Sequence, residues 1–393
     1  MAGDLLLLDV RPVGREVTDV LVRDGRVDSL GKRPSEWNGT TIDGGGQLLL
    51  PGLVDGHGHV DKTLWGQPWR PHSGGSGLES LIANEWEHRR ALPPVAERAA
   101  SVLEAYIANG TTHVRTHVDV DVYVGLRGVE GVLEARERMA GRIDVQIVAF
   151  PQGGLLVRPG TAELLDRAVE EGADLVGGID PAGFDGDPVG HLDAIFGIAE
   201  RRGCGVDIHL HDGGELGRWQ LELIVQRTRV LDLAGRVTVS HAFCLADGPE
   251  ATVLPLLERL AEQRISLATV PPGNRPPLPL LRLRELGIEV CLGQDGIRDL
   301  WSPYGDADML SRAYLLAWRS GFRRDEEIEA ALHAATFGGA CVLGVDRYGL
   351  EPGCAADLVL VRADSLAEAV VAHPPRSLVV KSGVVVYDGP QQA

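Results

Sequence analysis

Histidines recur in this sequence with a spacing that places two side chains on one face of a strand. His57 and His59 form one such pair, and His209 and His211 form another. Residues two apart in a strand share a face, so each pair presents two imidazoles in the same direction. Imidazole nitrogens, when combined with carboxylate oxygens, suit a divalent metal such as zinc or iron. The sequence therefore predicts metal chemistry, provided that the fold brings these distant segments together.

The elements that must position these residues alternate between short apolar runs and helical stretches. We predict eight strands, at residues 53–60, 112–120, 144–150, 175–179, 206–211, 237–241, 265–270 and 289–293. We predict helices at residues 96–109, 129–140, 162–171, 192–202, 219–233, 251–262 and 325–335. Eight strands alternating with helices predict an α/β fold of the TIM barrel type, (β/α)8. A doubly wound open sheet is the competing architecture, but no glycine-rich phosphate loop follows any of these strands.

The chemistry-bearing residues lie at the C-terminal ends of the predicted strands. His241 closes the sixth strand, and Asp295 directly follows the eighth. Active sites of barrels are built at this face, so we expect the imidazoles and the carboxylate to converge there. Arg115 lies on the second strand, and we expect it to pair with a buried carboxylate. Asp180, after the fourth strand, is the only candidate bridge for a second metal ion, and a role in loop structure is favoured instead.

Both ends of the chain have a different character, because they contain short strand-like runs separated by turn signals. These runs cover residues 5–10, 17–23 and 26–30 near the start and 358–361, 377–381 and 384–387 near the end. Neither end has enough strands for a stable sheet alone. We therefore predict one small β-sandwich domain built from residues 1–50 and 345–393, with the barrel of residues 51–344 inserted between them.

Composition limits the class of protein and its partners. The chain has 393 residues, of which 44% are hydrophobic, so it can bury a full core. Its formal net charge of −18 repels phosphate backbones and anionic lipid surfaces, which argues against nucleic acid or a membrane as a partner. Five dispersed cysteines and a start without a basic, apolar leader indicate a cytoplasmic protein in a reducing compartment.

Several segments resemble a known family. The segment PGLVDGHGH at residues 51–59, together with the strand-rich termini, resembles the amidohydrolase superfamily of metal-dependent hydrolases over nearly the whole chain. The segments HVRTHVDV at 113–120, FPQ at 150–152, VTVSH at 237–241, GQD at 293–295 and WSP at 301–303 resemble its cytosine deaminase branch.

The resemblance implies a role for each matching residue. One divalent metal ion, zinc or iron, would be held by the following four residues: His57, His59, His209 and Asp295. His241 would contact the attacking water, and Asp295 would act as a base as well as a ligand. Gln152 and Trp301 would line the pocket of a small heterocyclic substrate such as a cytosine-like pyrimidine. The resemblance also implies a homo-oligomer.

The sequence departs from the cytosine deaminase pattern at two positions. An aspartate, Asp212, replaces the glutamate that shuttles protons in that branch, so Asp212, Glu215 and His211 are all candidates for this task. Gly296 replaces an aspartate that recognises the pyrimidine. The residues around Lys62 also resemble amidohydrolases that remove an alkylamine from the s-triazine N-isopropylammelide, and Lys62 would then lie near a ring oxygen or nitrogen.

The expected function is deamination of a small nitrogen heterocycle by a metal-activated hydroxide. The alternatives are hydrolysis of an N-substituted amino-triazine or cyclic amide, and a barrel that binds its ligand without turnover. We expect the segment 63–77, which contains Trp65 and Trp69, to act as a lid. Asn274, in a loop after the seventh strand, is a candidate substrate contact.

Overall fold

A computed structural model describes residues 4–13, 15–72, 75, 78–89, 91–271, 273 and 275–389. In the part of the chain before the barrel, strands β1 to β5 are Leu5–Pro12, Thr18–Arg23, Arg26–Leu30, Thr40–Asp43 and Leu48–Pro51. The barrel strands β6 to β13 are Leu53–Gly58, Thr111–Asp119, Asp144–Phe150, Leu175–Ile179, Gly205–Leu210, Val237–His241, Ser266–Thr269 and Val290–Leu292. Strands β14 to β16 are Leu358–Val361, Arg376–Lys381 and Val384–Asp388.

Helices separate the barrel strands and extend into the C-terminal part of the chain. Helices α1 to α6 are Leu78–Arg89, Val95–Ala108, Arg127–Arg138, Thr161–Glu170, Pro188–Arg202 and Gly214–Val230. Helices α7 to α12 are Glu250–Glu262, Leu280–Glu285, Met309–Arg319, Asp325–Ala334, Phe337–Leu343 and Leu366–Ala372. Within the described ranges, no helix combines the length and apolar character needed to cross a bilayer.

The eight strands β6 to β13 pair in chain order as a parallel sheet that closes on itself. The closure lies at the C-terminal end of the first barrel strand, where the Asp295 amide donates a hydrogen bond to the carbonyl of His57 at 2.8 Å. Gly58 and Asp295 form the parallel bridge at this point. The predicted TIM barrel is confirmed, and each predicted strand lies within two residues of an observed one. Closure therefore fixes the backbone beside two of the predicted metal ligands.

Helix α5 shows how the sequence packs helices around the barrel. Asp187 caps its first turn by accepting a hydrogen bond from a backbone amide, and Gly203 ends the helix in a left-handed conformation. Leu192, Ile195 and Ala199 recur at helical spacing and are all buried. This apolar stripe joins the main core between the helices and the strands.

Both ends of the chain contribute to one mixed sheet beside the barrel, as predicted. Strand β14 pairs antiparallel with β5, so that Leu358 faces Pro51. Strand β1 pairs with β2 on both sides of a register shift between Leu7 and Val10, with β4 in its first half and with β5 at its end. Residues from both halves of the sheet form one apolar core. The fold class is therefore confirmed, while the domain boundaries at residues 50 and 345 stay a prediction.

Some elements were absent from the predictions: β4, β5, α1, α8, α9, α11 and α12. Helix α1 has a specific reason, because it buries the carboxylate of Glu85 rather than a leucine stripe. An apolar pattern of period 3.6, which is the signal for a surface helix, is consequently weak there.

Candidate active site

The histidine cluster consists of His57, His59, His117, His209, His241 and Asp295. Its imidazoles lie at the C-terminal ends of β6, β7, β10 and β11, and Asp295 follows β13. The rings of His57 and His209 are 4.5 Å apart, and those of His57 and His241 are 4.9 Å apart. Asp295 Oδ1 lies 3.2 Å from His59 Nε2 and 3.8 Å from His57 Nε2. Three of the four predicted ligands, His57, His59 and His209, hold their ligand atoms within 4.8 Å of one another together with His117, whereas Asp295 groups in this way with His57 and His241.

The chemistry of this cluster fits a divalent metal ion. The Nε2 atoms of His57 and His209 are buried and have no hydrogen-bond partner among the described residues. Burial lowers the pKa of His57 and of His209 well below the ordinary value, and the neighbouring imidazoles lower it further. Both rings are therefore neutral at physiological pH and offer a lone pair, which is the form that binds a metal. Unpaired buried nitrogens are costly unless a ligand satisfies them.

His117 is a member of the cluster that the sequence analysis did not assign to the site. Its ring lies 4.2 Å from that of His57 and 4.6 Å from that of His209. It is completely buried, and its Nε2 is 3.3 Å from a carboxylate oxygen of Asp207. The two-residue spacing of Arg115, His117 and Asp119 predicts that they share one face at the C-terminal end of the second barrel strand, although no ligand role was predicted for His117.

The position of Asp295 depends on an unusual backbone conformation directly after β13. Its φ of 64° lies in the left-handed region, and His241 is held similarly with φ 70°. Such conformations cost energy for non-glycine residues and persist where the surrounding structure enforces them. The Asp295 side chain is 40% exposed, whereas the imidazoles are nearly inaccessible. Asp295 therefore faces the open mouth of the barrel.

His211 lies at the rim of the cluster and is oriented by Asp180. The carboxylate of Asp180 accepts hydrogen bonds from the backbone amide of His211 at 2.6 Å and from Nδ1 of its ring at 2.7 Å. Burial alone would lower the pKa of His211, but the Asp180 carboxylate raises it above its ordinary value. The His211 ring lies 4.2 Å from that of His241, and Nδ1 is the nitrogen that Asp180 holds. Asp180 thus has an orienting role.

The other two candidates for proton transfer are engaged elsewhere or face solvent. Asp212 Oδ2 accepts hydrogen bonds from the Gly183 amide at 3.0 Å and from Gln220 Nε2 at 2.9 Å. Glu215 is exposed in the first turn of α6. Asp212 therefore stabilises the loop after β9 and the start of α6.

Lys62, Gln152 and Trp301 meet on a second side of the site. The Lys62 ammonium donates a hydrogen bond to Gln152 Oε1 and lies 5.1 Å from the centre of the Trp301 ring. The Trp301 indole donates to Glu85 Oε2 at 2.6 Å. The ring of Phe150, which stacks on His209 at 4.1 Å, lies 5.7 Å from the same ammonium. Phe150 therefore connects the histidine cluster to Lys62.

Lys62 belongs to a charged cluster that also contains Asp61, Glu85, Arg89 and Asp119. Lys62 Nζ lies 2.9 Å from Asp119 Oδ1, and Arg89 contacts all three carboxylates within 3.2 Å. Burial alone would lower the pKa of Lys62, but these carboxylates raise it above its ordinary value. Burial raises the pKa of Asp61 to about 6. Lys62 is therefore a permanent cation, suited to stabilising negative charge rather than to accepting a proton.

Comparisons with known proteins agree with this geometry. The sequence model of the amidohydrolase family matches residues 40–387. This chain belongs to the amidohydrolase family. Among curated relatives, N-isopropylammelide isopropyl amidohydrolase from Pseudomonas sp. (strain ADP) is 34% identical over 355 residues, which cover 88% of this chain and 87% of that protein. An amidohydrolase of this kind is a hydrolase acting on carbon–nitrogen bonds other than peptide bonds.

Two solved structures of similar proteins cover nearly the whole amidohydrolase chain. N-isopropylammelide isopropylaminohydrolase from Burkholderia multivorans is 46% identical, with a TM-score of 0.94 and 98% of both chains covered. The 5-methylcytosine deaminase from Klebsiella pneumoniae, liganded with 5-fluorocytosine, is 27% identical, with a TM-score of 0.87 over 99% of this chain and 98% of that one. The predicted resemblance to both branches is confirmed. Family membership, together with the histidine cluster, supports the binding of a divalent metal.

The loop after β13 contains a carboxyl group that sequence reasoning missed. A Cβ atom on Gly296 would lie only 2.0 Å from Asp299 Oδ2, so Asp299 occupies the space beside this glycine. Its other oxygen accepts hydrogen bonds from the amides of Trp301 and Ser302, both at 2.7 Å. Burial raises the pKa of Asp299 to about 7. Nothing in the local sequence distinguishes Asp299 from a surface loop aspartate.

The segment predicted to be a lid is fixed to this loop at its start. The Leu64 amide donates to the Arg298 carbonyl at 2.7 Å, and the Arg298 guanidinium lies 4.3 Å from the centre of the Trp65 ring. Trp69 is 71% exposed at the edge of a cavity of about 270 Å³. Residues 73, 74, 76 and 77 of the segment, and Asn274, lie outside the described residues. The lid therefore stays a prediction.

Proposed function

We propose that this amidohydrolase removes an amine from an oxygen-bearing nitrogen heterocycle, and that an N-alkylamino s-triazine is its substrate class. The buried Lys62 ammonium carries this proposal, because it contacts Gln152 and Trp301, the two proposed pocket residues, and would place positive charge beside the ring of a bound substrate. Deamination of a cytosine-like pyrimidine is the second candidate. It is favoured by the likeness to the 5-methylcytosine deaminase over nearly the whole chain.

One divalent metal ion, held by His57, His59, His209 and Asp295, is part of the proposal. When bound, such an ion lowers the pKa of a water molecule from about 15.7 toward 7 and so supplies hydroxide at neutral pH. His241 would orient the attacking water, because its unpaired ring nitrogens face the same cluster. Asp295 would take the proton of that water, since its carboxylate is the member of the cluster that faces the mouth.

His211 is the proposed donor of the proton that the leaving nitrogen needs. Addition of hydroxide to the ring carbon gives a tetrahedral carbon that still carries the amine. Breaking the carbon–nitrogen bond requires protonation of the amine, which then departs as neutral alkylamine or ammonia. The Asp180 carboxylate holds Nδ1 of His211 and leaves Nε2 to deliver the proton. This pair replaces the glutamate that the sequence lacks.

Lys62 would stabilise the negative charge that develops on the ring when hydroxide adds. The ammonium is preorganised by Asp119 at 2.9 Å and by Gln152, so it needs no reorganisation during the reaction. A fully ionised carboxylate would oppose such charge; Gly296 carries none, and burial raises the pKa of the neighbouring Asp299 carboxyl to about 7, which reduces its negative charge at neutral pH. Lys62 and Gly296 together favour a substrate ring that carries oxygen substituents over an amine-bearing ring without them.

A substrate panel tests the proposal. Purified protein loaded with Zn²⁺ or Fe²⁺ is assayed with an N-alkylamino-dihydroxytriazine, the corresponding unsubstituted aminotriazine and cytosine, while alkylamine and ammonia are measured separately. We expect the highest kcat/KM, with release of alkylamine, for the N-alkylated triazine. A higher kcat/KM for cytosine would favour the second candidate, and no turnover of any compound would support a barrel that only binds ligand.

The same preparation tests the remaining predictions about the protein. Elemental analysis of the protein as isolated distinguishes zinc from iron and should give one ion per chain. Sedimentation of the intact protein tests the expected homo-oligomer, and fractionation of cells tests the expected cytoplasmic location.

A further inference from the structure

We propose that Ser240 is a positioning residue that fixes the tautomer of His57, so that the Nε2 lone pair of His57 points into the histidine cluster. Ser240 lies in β11, directly before His241, and is completely buried. Its hydroxyl contacts His57 Nδ1 at 2.8 Å on one side and Asp207 Oδ1 at 2.7 Å on the other. The inference rests on the proposed role of His57 as a metal ligand.

Asp207 fixes the direction in which the hydroxyl proton of Ser240 points. Arg115 Nη1 donates to Asp207 Oδ2 at 2.9 Å, and both side chains are buried. This pairing, which the sequence analysis predicted for Arg115, keeps the carboxylate ionised and therefore able only to accept. In the contact between the two side chains, the Ser240 hydroxyl is consequently the hydrogen-bond donor and Asp207 the acceptor.

The state of the His57 ring follows from the direction of that proton. Because the Ser240 hydroxyl donates its hydrogen bond to Asp207, the Ser240 oxygen presents a lone pair to His57 Nδ1. The short contact is then a hydrogen bond only if Nδ1 carries the proton. A neutral imidazole protonated on Nδ1 has its free lone pair on Nε2, and this is the nitrogen left without a partner in the cluster.

A second ligand histidine is oriented in the same way by a simpler group. His59 Nδ1 lies 3.0 Å from the backbone carbonyl of His117, which can only accept. His57 has a hydroxyl at the equivalent place, and a hydroxyl by itself can either donate or accept a hydrogen bond. The carboxylate of Asp207 is therefore needed so that Ser240 acts toward His57 only as a hydrogen-bond acceptor, as the His117 carbonyl does toward His59. Partners of this kind typically contribute 10–100-fold to metal affinity.

Removal of the Ser240 hydroxyl tests this inference through metal affinity. The dissociation constant for Zn²⁺ is measured by competition with a chelator in the unaltered protein and in the Ser240→Ala variant. We expect the variant to bind Zn²⁺ about 10- to 100-fold more weakly. Thr228→Val is the matched control, because the buried hydroxyl of Thr228 donates to the Ile224 carbonyl of its own helix at 2.8 Å, outside the network of Ser240, Asp207 and Arg115. We expect its Zn²⁺ affinity to stay within a few fold of the unaltered protein.

The tautomer itself is measured in the metal-free, unaltered protein by nitrogen-15 NMR of its histidines, with a His57→Gln variant to assign the signals. We expect His57 to be protonated on Nδ1. Protonation on Nε2, or equal Zn²⁺ affinities for Ser240→Ala and Thr228→Val, would overturn the inference. If the unaltered protein binds no divalent metal, the proposed function fails, and the tautomer measurement still decides the role of Ser240.

Discussion

The two sides of the site are built in different ways. The histidine cluster uses neutral side chains at the ends of barrel strands, and the fold leaves several of their nitrogens unpaired. The charged cluster around Lys62 uses ionised side chains, which pair with one another and are supplied partly by α1. The histidine cluster therefore keeps nitrogen atoms free to bind a ligand, whereas the charged side chains around Lys62 form their ion pairs with one another. Substitutions should therefore separate loss of activity from loss of stability.

Replacement of a ligand in the histidine cluster should have the largest effect on activity. We expect His209→Asn to lower kcat/KM by at least about 10⁴-fold, equivalent to ~5.5 kcal/mol of activation free energy. The reason is that the source of the attacking hydroxide would be lost with the metal. Bound metal, kcat/KM and the metal-free unfolding midpoint are measured together. An unfolding midpoint that falls sharply in the metal-free variant would contradict the view that this cluster serves binding rather than stability.

The next largest effect should come from the proposed proton donor. We expect His211→Asn to lower kcat by about 10²–10⁴-fold while retaining bound metal. Asp212→Asn is the matched comparison, because Asp212 contacts Gly183 and Gln220 rather than the cluster. It should change kcat by no more than a few fold. The reverse order of these two variants would return the shuttle role to Asp212.

Loss of the buried cation should reduce both activity and stability. In Lys62→Met, Asp119 loses one of its two cationic partners, and we expect unfolding to become easier by about 3 kcal/mol. The kcat/KM should also fall by about 10²-fold, the scale for removal of one preorganised electrostatic donor. Chemical denaturation and steady-state kinetics measure the two effects. Arg167→Ala, which breaks the exposed pair with Glu171, is the control and should leave stability nearly unchanged. A Lys62→Met protein as stable as the unaltered one would contradict the view that the charged cluster, unlike the histidine cluster, contributes to stability.

The same division explains how much could be predicted from the sequence. Strand periodicity and the ends of eight strands were enough to bring His57, His209 and Asp295 together, because barrel topology determines where strand ends meet. Their metal-binding roles stay predictions. The charged cluster around Lys62 was not predictable as a whole, since Glu85 and Arg89 come from a helix without a clear apolar stripe. A buried carboxylate has the same sequence signature as an exposed one, and only the packing of distant segments distinguishes them.

The loop after β13 gives the smallest expected effect and tests whether the substrate side tolerates added volume. A Cβ on Gly296 would lie 2.0 Å from Asp299 Oδ2, and the other oxygen of Asp299 is held by two backbone amides. Gly296→Ala should therefore displace Asp299 and Trp301, cost about 1–3 kcal/mol of stability and raise KM more than it lowers kcat. Gly197→Ala, inside α5 with only the end of an arginine side chain at 3.4 Å, is the control. It should be stabilising by about 0.5–1 kcal/mol, because alanine favours a helix interior. If both substitutions stabilised the protein equally, the Asp299 carboxyl would be free to move. The loop after β13 would then not be a fixed wall of the substrate site.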